Sequence, residues 1–234
     1  MKAMILAAGL GTRMRPLTDH TPKPLLRAGG KALIDYHIEK LAAAGVSDIV
    51  VNCSWLADQL DAYLAGVGRR LGLVIKVSRE QTPLETAGGV VQALPLLCDG
   101  NFNDEPFLLI NGDIWTDFDF ATLIAKRPDA AHLVMIKNPD HNPLGDFGLS
   151  ASGLVTEKTV VGDEASYTFS GISVWRPSVF SDFSAGKRAL KPVMQTAMAR
   201  AAVSGDLYEG NWWDIGTPER LAALDVYLKA QAGS

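Results

Sequence analysis

Arg13 and Lys23 are the side chains whose type and setting point first to chemistry. A short apolar run, Met4-Ile5-Leu6-Ala7-Ala8, passes into Gly9-Leu10-Gly11-Thr12-Arg13-Met14-Arg15-Pro16-Leu17-Thr18 and closes on Thr21-Pro22-Lys23-Pro24. Gly9 and Gly11 let the backbone approach a ligand and present amide N–H groups. The guanidinium forks of Arg13 and Arg15 suit phosphate oxygens, and Lys23 adds a point charge. Pro22 and Pro24 fix the backbone on either side of that lysine, which limits the entropy lost when it engages an anion. Together these residues read as a buried strand feeding a phosphate-handling loop.

Two better-known glycine loops are excluded. The P-loop ends in Gly-Lys-Ser/Thr, and here Gly11-Thr12-Arg13 stands instead. The dinucleotide fingerprint needs a third glycine where Met14 stands, and an acidic ribose ligand where the second strand ends in Asn52-Cys53, so an NAD-dependent dehydrogenase is set aside. Asp113 follows the apolar run Phe107-Leu108-Leu109-Ile110 through Asn111-Gly112. A carboxylate at the carboxyl end of a buried strand is a natural magnesium ligand, since magnesium takes one or two carboxylates and completes its shell with phosphate oxygens and water. Asp117 and Asp119 read instead as capping and first-turn acids of a following helix. Asp214, before the turn Gly216-Thr217-Pro218, is the candidate second carboxylate.

Such residues need a frame. Hydrophobic periodicity predicts strands at 3–8, 48–52, 73–77, 107–110 and 131–137, alternating with helices at 33–44, 56–64, 86–97 and 119–125. After residue 138 the alternation breaks. Phe147–Leu149, Leu154–Val161 and Tyr167–Trp175 read as β, with turns at Ser152-Gly153 and Gly162-Asp163. A helix at 192–202, a short strand at 207–209 and a helix opened by Pro218 complete the chain. The pattern implies an α/β fold: a Rossmann-like, doubly wound, mostly parallel mixed sheet in three layers with a small inserted β excursion, in one domain spanning 1–234. Ligands of such sheets bind beyond the carboxyl ends of the strands. The loops at 9–23, 81–89 and 111–113 are therefore expected on one rim.

The 234 residues are 47% hydrophobic, enough for one sizeable core, and carry a formal net charge of −4. A mildly acidic chain has no global attraction for nucleic acid or an anionic membrane, so its affinity for phosphate must be local. Cys53 and Cys98 form no metal-ligand spacing and read as reduced buried thiols. No apolar run reaches membrane-span length, and a soluble, cytoplasmic protein is expected.

The run Gly9-x-Gly11-Thr12-Arg13-x-x-Pro16-Leu17-Thr18 with Pro22-Lys23-Pro24 resembles the signature of the sugar-1-phosphate nucleotidyltransferases. Asn111-Gly112-Asp113 and Trp213-Asp214-Ile215-Gly216-Thr217-Pro218 match two further blocks of that family in order, so the resemblance spans essentially the whole chain. It implies a nucleoside triphosphate and a sugar 1-phosphate as small-molecule substrates, with a nucleotide-diphospho-sugar and pyrophosphate as products. A sugar-phosphate oxygen, already anionic, attacks the α-phosphorus in line, so no general base is required. By resemblance Ala8, Gly9, Gly11, Thr12 and Arg13 cradle the triphosphate, with Arg13 on the outer phosphates. Lys23 bridges the α-phosphate and the incoming sugar phosphate, and Asp113 with Asp214 holds Mg²⁺. Glu85 and Gly88 lie on the base-reading segment Glu85-Thr86-Ala87-Gly88-Gly89, Gln81 lies on the same loop just before it and is expected to bind the nucleotide, and Asn111 touches both substrates. Asp146, Glu157 and Gly171 fall where the sugar is expected. Gly145-Asp146-Phe147 and Phe169-Ser170-Gly171-Ile172-Ser173-Val174 look most like the short bacterial branch that uridylylates N-acetylmuramate 1-phosphate in peptidoglycan recycling. Mannose- or heptose-1-phosphate guanylyltransfer, a cytidylyl or thymidylyl relative, and a non-catalytic nucleotide-sugar sensor stand as alternatives. Many relatives carry Glu-Lys-Pro where this chain has Glu157-Lys158-Thr159, which leaves the contact of Glu157 and Lys158 with the sugar open, as is the choice between monomer and homodimer.

Overall fold

The computed structural model describes residues 1–100, 103–158 and 166–232. β1 (Lys2–Leu6) leads into the glycine loop, and a hairpin of β2 (Arg27–Ala28) and β3 (Lys31–Ala32) turns at Gly29-Gly30. Then come α1 (Leu33–Ala43), β4 (Asp48–Cys53), α2 (Ala57–Leu71), β5 (Val74–Arg79), α3 (Glu85–Leu97), β6 (Phe107–Asn111), β7 (Ile114–Thr116) and β8 (Ala131–Ile136). The β excursion is β9 (Phe147–Leu149), β10 (Val155–Glu157) and the long β11 (Ser166–Trp175). α4 (Leu190–Met198), β12 (Val203–Tyr208), β13 (Trp212–Asp214) and α5 (Pro218–Ala232) close the chain.

The main sheet runs β5-β4-β1-β6-β11-β8-β12, with β9 and β10 added along the first half of β11. Only β11 in this row is antiparallel to its neighbours, so the sheet is mixed but mostly parallel, as expected. From β1 the chain steps to β4 and β5 on one side, then crosses back to β6 on the other. That reversal opens a crevice beyond the carboxyl ends of β1 and β6, which is where ligands of doubly wound sheets bind.

The alternation of β1 shows how three layers form. Ala3 and Ile5 face a cluster with Ile34, Ile38 and Leu41 of α1 and Leu60, Leu64 and Val67 of α2. Met4, between them, faces α3 and α4 through Val90, Ala93, Val193 and Met194. A third cluster joins Met14, Leu26, Ala28, Trp115, Ile215, Leu221 and Leu224, so α5 and the residue at the centre of the glycine loop share one small core. Met14 is fully buried there. The side chain that breaks the dinucleotide fingerprint is therefore the anchor of this loop.

Several element boundaries differ from the sequence expectation. α2 runs to Leu71 rather than stopping at Leu64. Gly66 and Gly68 look like a stop, but Gly68 lies in the helix where its missing Cβ admits the carbonyl of Leu73, and Gly72 at φ +67° ends it. The predicted helix at 119–125 is a single 3₁₀ turn, Phe120–Leu123, capped by Asp119, whose carboxylate accepts the Ala121 amide at 2.9 Å. The alanine-rich stretch to 202 has helical propensity, yet α4 ends at Met198 and the chain enters β12 at Val203, because parallel pairing with β8 overrides local preference. The ribbon of β7 and β13 was not anticipated. The predicted Gly162-Asp163 turn, Thr159 and the strand beyond Lys158 lie outside the described residues.

His37 of α1 is buried beneath β7, and its Nε2–H donates to the Ile114 carbonyl at 2.9 Å. Burial lowers its pKa from the ordinary 6.5 to about 4. Between those values the unfolded chain binds the extra proton and the folded chain does not. Stability therefore falls as pH drops from 6.5 toward 4, by up to about 1.4 kcal/mol per pH unit from this group. Thermal melts of the wild type and His37→Gln across that window check this: the wild type should lose more stability on acidification than the variant.

Candidate functional site

The glycine loop is held by its own chain. The Thr18 hydroxyl donates to the Gly11 carbonyl at 2.7 Å, and the Trp55 indole N–H donates to the Thr18 carbonyl at 2.9 Å. The Met14 amide bonds to the Gly11 carbonyl at 2.9 Å, and Gly11 sits at φ +62° to make that turn. With Met14 buried below, the loop carries Arg13 outward, and Arg13 forms no ion pair among the described residues. Arg15 behaves differently. It is exposed, pairs with Asp19 at 3.3 Å and lines neither cavity described below, whereas Arg13 lines the first.

Lys23 opens a 3₁₀ turn behind Pro22, and its ammonium lies 2.9 Å from Asp113 Oδ2. The Lys23 side chain is only 11% exposed whereas Asp113 is 40% exposed, so the lysine is fixed and the carboxylate keeps a free face. The Gly112 amide donates to the Leu6 carbonyl at 2.9 Å, tying the end of β6 to β1. Across the ribbon, Asp214 stands opposite Ile114, and the Ile215 amide donates to the Asp113 carbonyl at 2.8 Å. Asp113, one residue before β7, and Asp214, the last residue of β13, thus lie close at one end of the ribbon. Asp214 is engaged by Arg220, and His141 Nε2 lies 3.5 Å away. Each carboxylate has a cationic partner, Lys23 for Asp113 and Arg220 for Asp214. No group of three or more metal-ligating side chains occurs among the described residues. The donor set is two carboxylates, which fits a magnesium ion that draws its remaining ligands from phosphate and water.

These elements enclose a cavity of about 480 Å³ lined by Ala8, Gly9, Gly11, Thr12, Arg13, Lys23, Glu80, Glu85, Asn111 and Asp113, with Gly216 at its edge. A second cavity of about 470 Å³ adjoins it, lined by Asp146, Phe147, Phe169, Leu190, Lys191 and Met194. The two share Glu85, Thr86 and Asn111. Asn111, expected to touch both substrates, therefore stands at the junction of both spaces. Gly171, at φ +83° where the β11 register shifts, acts beside it: a Cβ there would come within 2.7 Å of the Asn111 amide nitrogen. Asp146 faces the second cavity, steadied by the Phe169 amide at 2.9 Å and Asn142 at 3.1 Å.

Five further expected residues line neither cavity: Gly171 and Asp214, described above, and Gln81, Gly88 and Glu157. Gln81 is exposed and lines neither cavity. Gly88 lines neither; its amide is bonded to the Arg188 carbonyl at 3.1 Å, and its missing Cβ makes room for the Gly186 carbonyl. Glu157 is exposed on β10, opposite Phe147 and outside both cavities, while Lys158 donates to the Leu144 carbonyl at 2.7 Å.

The sequence reading missed Glu80 and Asn52. Glu80 is 5% exposed and lines the first cavity, with three donors arranged around it and its partner. Asn52 Nδ2 donates to Glu80 Oε1 at 2.7 Å, the Leu84 amide donates to Oε2 at 2.9 Å, and the Ala7 amide donates to Asn52 Oδ1 at 2.7 Å. This chain of bonds joins the first residue after β1 to the loop before α3. The available signal was an acid next to Arg79 at the end of an otherwise apolar strand pattern. A Cβ on Gly89 would fall 2.7 Å from Glu80 Oε1 and 2.8 Å from Asn52 Nδ2. Gly89→Ala should therefore displace the pair, costing about 1–3 kcal/mol of stability and raising the KM for the nucleoside triphosphate. Denaturant melts with steady-state kinetics check both effects.

The family model for nucleotidyl transferases matches residues 2–231, and the chain belongs to that family. Among its relatives, the N-acetylmuramate α-1-phosphate uridylyltransferase of Neisseria meningitidis serogroup B is 46% identical over 228 residues, covering 94% of this chain and 95% of that protein. The enzyme of the same description from Caulobacter vibrioides is 36% identical over 238 residues, covering 97% and 96%. Among solved structures, the inositol-1-phosphate CTP transferase from T. maritima superposes with a TM-score of 0.76 at 22% identity, covering 99% of this chain and 96% of that one, a likeness of fold. No helix among the described residues is long and apolar enough to cross a membrane.

Proposed function

We propose that this chain, as one catalytic unit, transfers a uridylyl group from UTP to N-acetylmuramate 1-phosphate, with Mg²⁺, releasing pyrophosphate. The observation that supports transfer most strongly is the pair of cavities meeting at Asn111, with Lys23 and Asp113 on the nucleotide side of the junction. The choice of base and sugar rests on the two uridylyltransferase relatives. In this reading the backbone from Ala8 to Thr12 and the Arg13 guanidinium hold the triphosphate. Lys23 lies between the two phosphates that react and neutralises charge that grows on them. Glu80 offers a carboxylate acceptor on the base side, suited to an imide N–H. Asp113 and Asp214 would hold Mg²⁺, which when bound would supply neutralisation of phosphate charge and so favour departure of pyrophosphate. The acceptor phosphate is already an anion, so the protein's task is alignment and charge stabilisation without a general base. A cytoplasmic setting, where UTP is made and a recycled cell-wall sugar phosphate would be consumed, fits this role.

The test is a panel of nucleoside triphosphates against N-acetylmuramate, N-acetylglucosamine, mannose and heptose 1-phosphates, with pyrophosphate release measured in Mg²⁺. UTP with N-acetylmuramate 1-phosphate should give the highest kcat/KM. A guanosine product with mannose 1-phosphate and none with UTP would refute the assignment.

A further inference from the structure

The second cavity has a composition that a neutral hexose would not need. Phe147, Phe169, Ala189, Leu190 and Met194 make most of its wall apolar. Its charged lining residues are Glu85, Asp146 and Lys191. Glu85 is neutralised by Lys187 at 3.2 Å. Asp146 already accepts bonds from the Phe169 amide and from Asn142. Of the bases near α4, Lys187 is committed to Glu85, and the Arg188 guanidinium lies over the Phe183 ring at 4.2 Å. Lys191 remains, exposed at the cavity wall and without an ion pair among the described residues. Its place is fixed. The Arg188 amide donates to the Leu84 carbonyl at 2.9 Å and the Gly88 amide to the Arg188 carbonyl at 3.1 Å, so the lead-in to α4 is bonded to the loop that borders the nucleotide cavity.

We propose that Lys191 recognises the carboxylate of an acidic sugar 1-phosphate, while the apolar wall of Phe147, Phe169, Leu190 and Met194 takes the acyl and alkyl groups of the same sugar. The inference rests on the acceptor named above, whose ring carries an acetamido group and a lactyl ether ending in a carboxylate. A neutral hexose 1-phosphate offers hydroxyls to that wall and leaves Lys191 without a partner. Discrimination arises from a charge-assisted contact that only the acidic acceptor makes. The other charged residues lining this cavity, Glu85 and Asp146, are both acids.

The experiment compares wild type, Lys191→Gln and Lys191→Arg with UTP and Mg²⁺ on two acceptors, N-acetylmuramate 1-phosphate and N-acetylglucosamine 1-phosphate, which share the ring and acetamido group and differ in the lactyl carboxylate. Lys191→Gln should raise the KM for the acidic acceptor about tenfold or more, as loss of one charge-assisted hydrogen bond implies. The preference for the acidic over the neutral acceptor should fall by the same factor, and Lys191→Arg should restore most of it. A KM for the acidic acceptor that does not move, or an equal loss on both acceptors, would overturn the role of Lys191 and leave the acceptor assignment standing. A wild-type enzyme that uses neither acceptor would overturn both.

Discussion

Lys23→Met should lower kcat roughly a hundred- to a thousandfold, the scale on which removing one preorganised donor from developing charge acts. Methionine keeps the apolar stem packed beneath the loop and deletes only the ammonium. Lys23 is largely buried by its own turn and reaches Asp113 at 2.9 Å, so it is positioned before any substrate arrives. In the proposed role its charge would matter most when the acceptor oxygen and the α-phosphorus approach, because two phosphate groups are then brought together. The defect should therefore appear mainly in kcat, with a smaller change in the KM for UTP. The folded state should be little affected, since the Asp113 carboxylate left behind is 40% exposed and can be hydrated. Lys23→Arg should recover little activity, because a planar fork cannot replace a compact point charge in a closed turn. Single-turnover kinetics beside a thermal melt separate these effects.

Asp113→Asn should reduce turnover at least about a thousandfold and raise the Mg²⁺ concentration needed for half-maximal rate, because the variant keeps shape and loses the anionic ligand. Two consequences of position sharpen this. Asp113 is bonded through its backbone to Ile215, so the ribbon that carries Asp214 need not move when the side chain changes. The substitution also leaves Lys23 without its carboxylate, at a stability cost of about 1 kcal/mol for a partly exposed pair. A titration of rate against Mg²⁺, run with the melt, checks both. Near-wild-type turnover in the variant would remove Asp113 from the metal site.

The layers of the fold were legible in the sequence because buried parallel strands announce themselves as continuous apolar runs, and β1, β4, β6 and β8 all do. The glycine loop was legible because its residues are constrained by steric and charge demands close together in sequence. What escaped depended on pairing over long separations. The β7–β13 ribbon joins residues about a hundred positions apart, and neither three-residue strand has a periodicity to read. The ends of α2 and α4 escaped because propensity was overridden, by a backbone packed against Gly68 and by pairing with β8.

The site divided along the same line. Gly9, Gly11, Arg13, Lys23, Asn111 and Asp113 line the first cavity as expected. Gln81 and Gly88 do not, because Glu80 takes the inward position on that segment and the Gly88 amide is occupied by the chain before α4. Glu157 is exposed at the end of β10, on the outer edge of the sheet, and does not line the second cavity. Lys191 lies far along the chain in a helix that reads as ordinary surface, and only its docking to the 84–88 loop gives it significance.

The central claim is that the glycine loop, Lys23 and the paired aspartates form one nucleotidyl-transfer site. The most direct measurement is a crystal structure of the protein with Mg²⁺ and a UTP analogue that cannot be cleaved between its α- and β-phosphates. The expected result is triphosphate density along residues 8–13 and a metal in contact with both Asp113 and Asp214. A nucleotide bound elsewhere, or a metal that touches neither carboxylate, would contradict it.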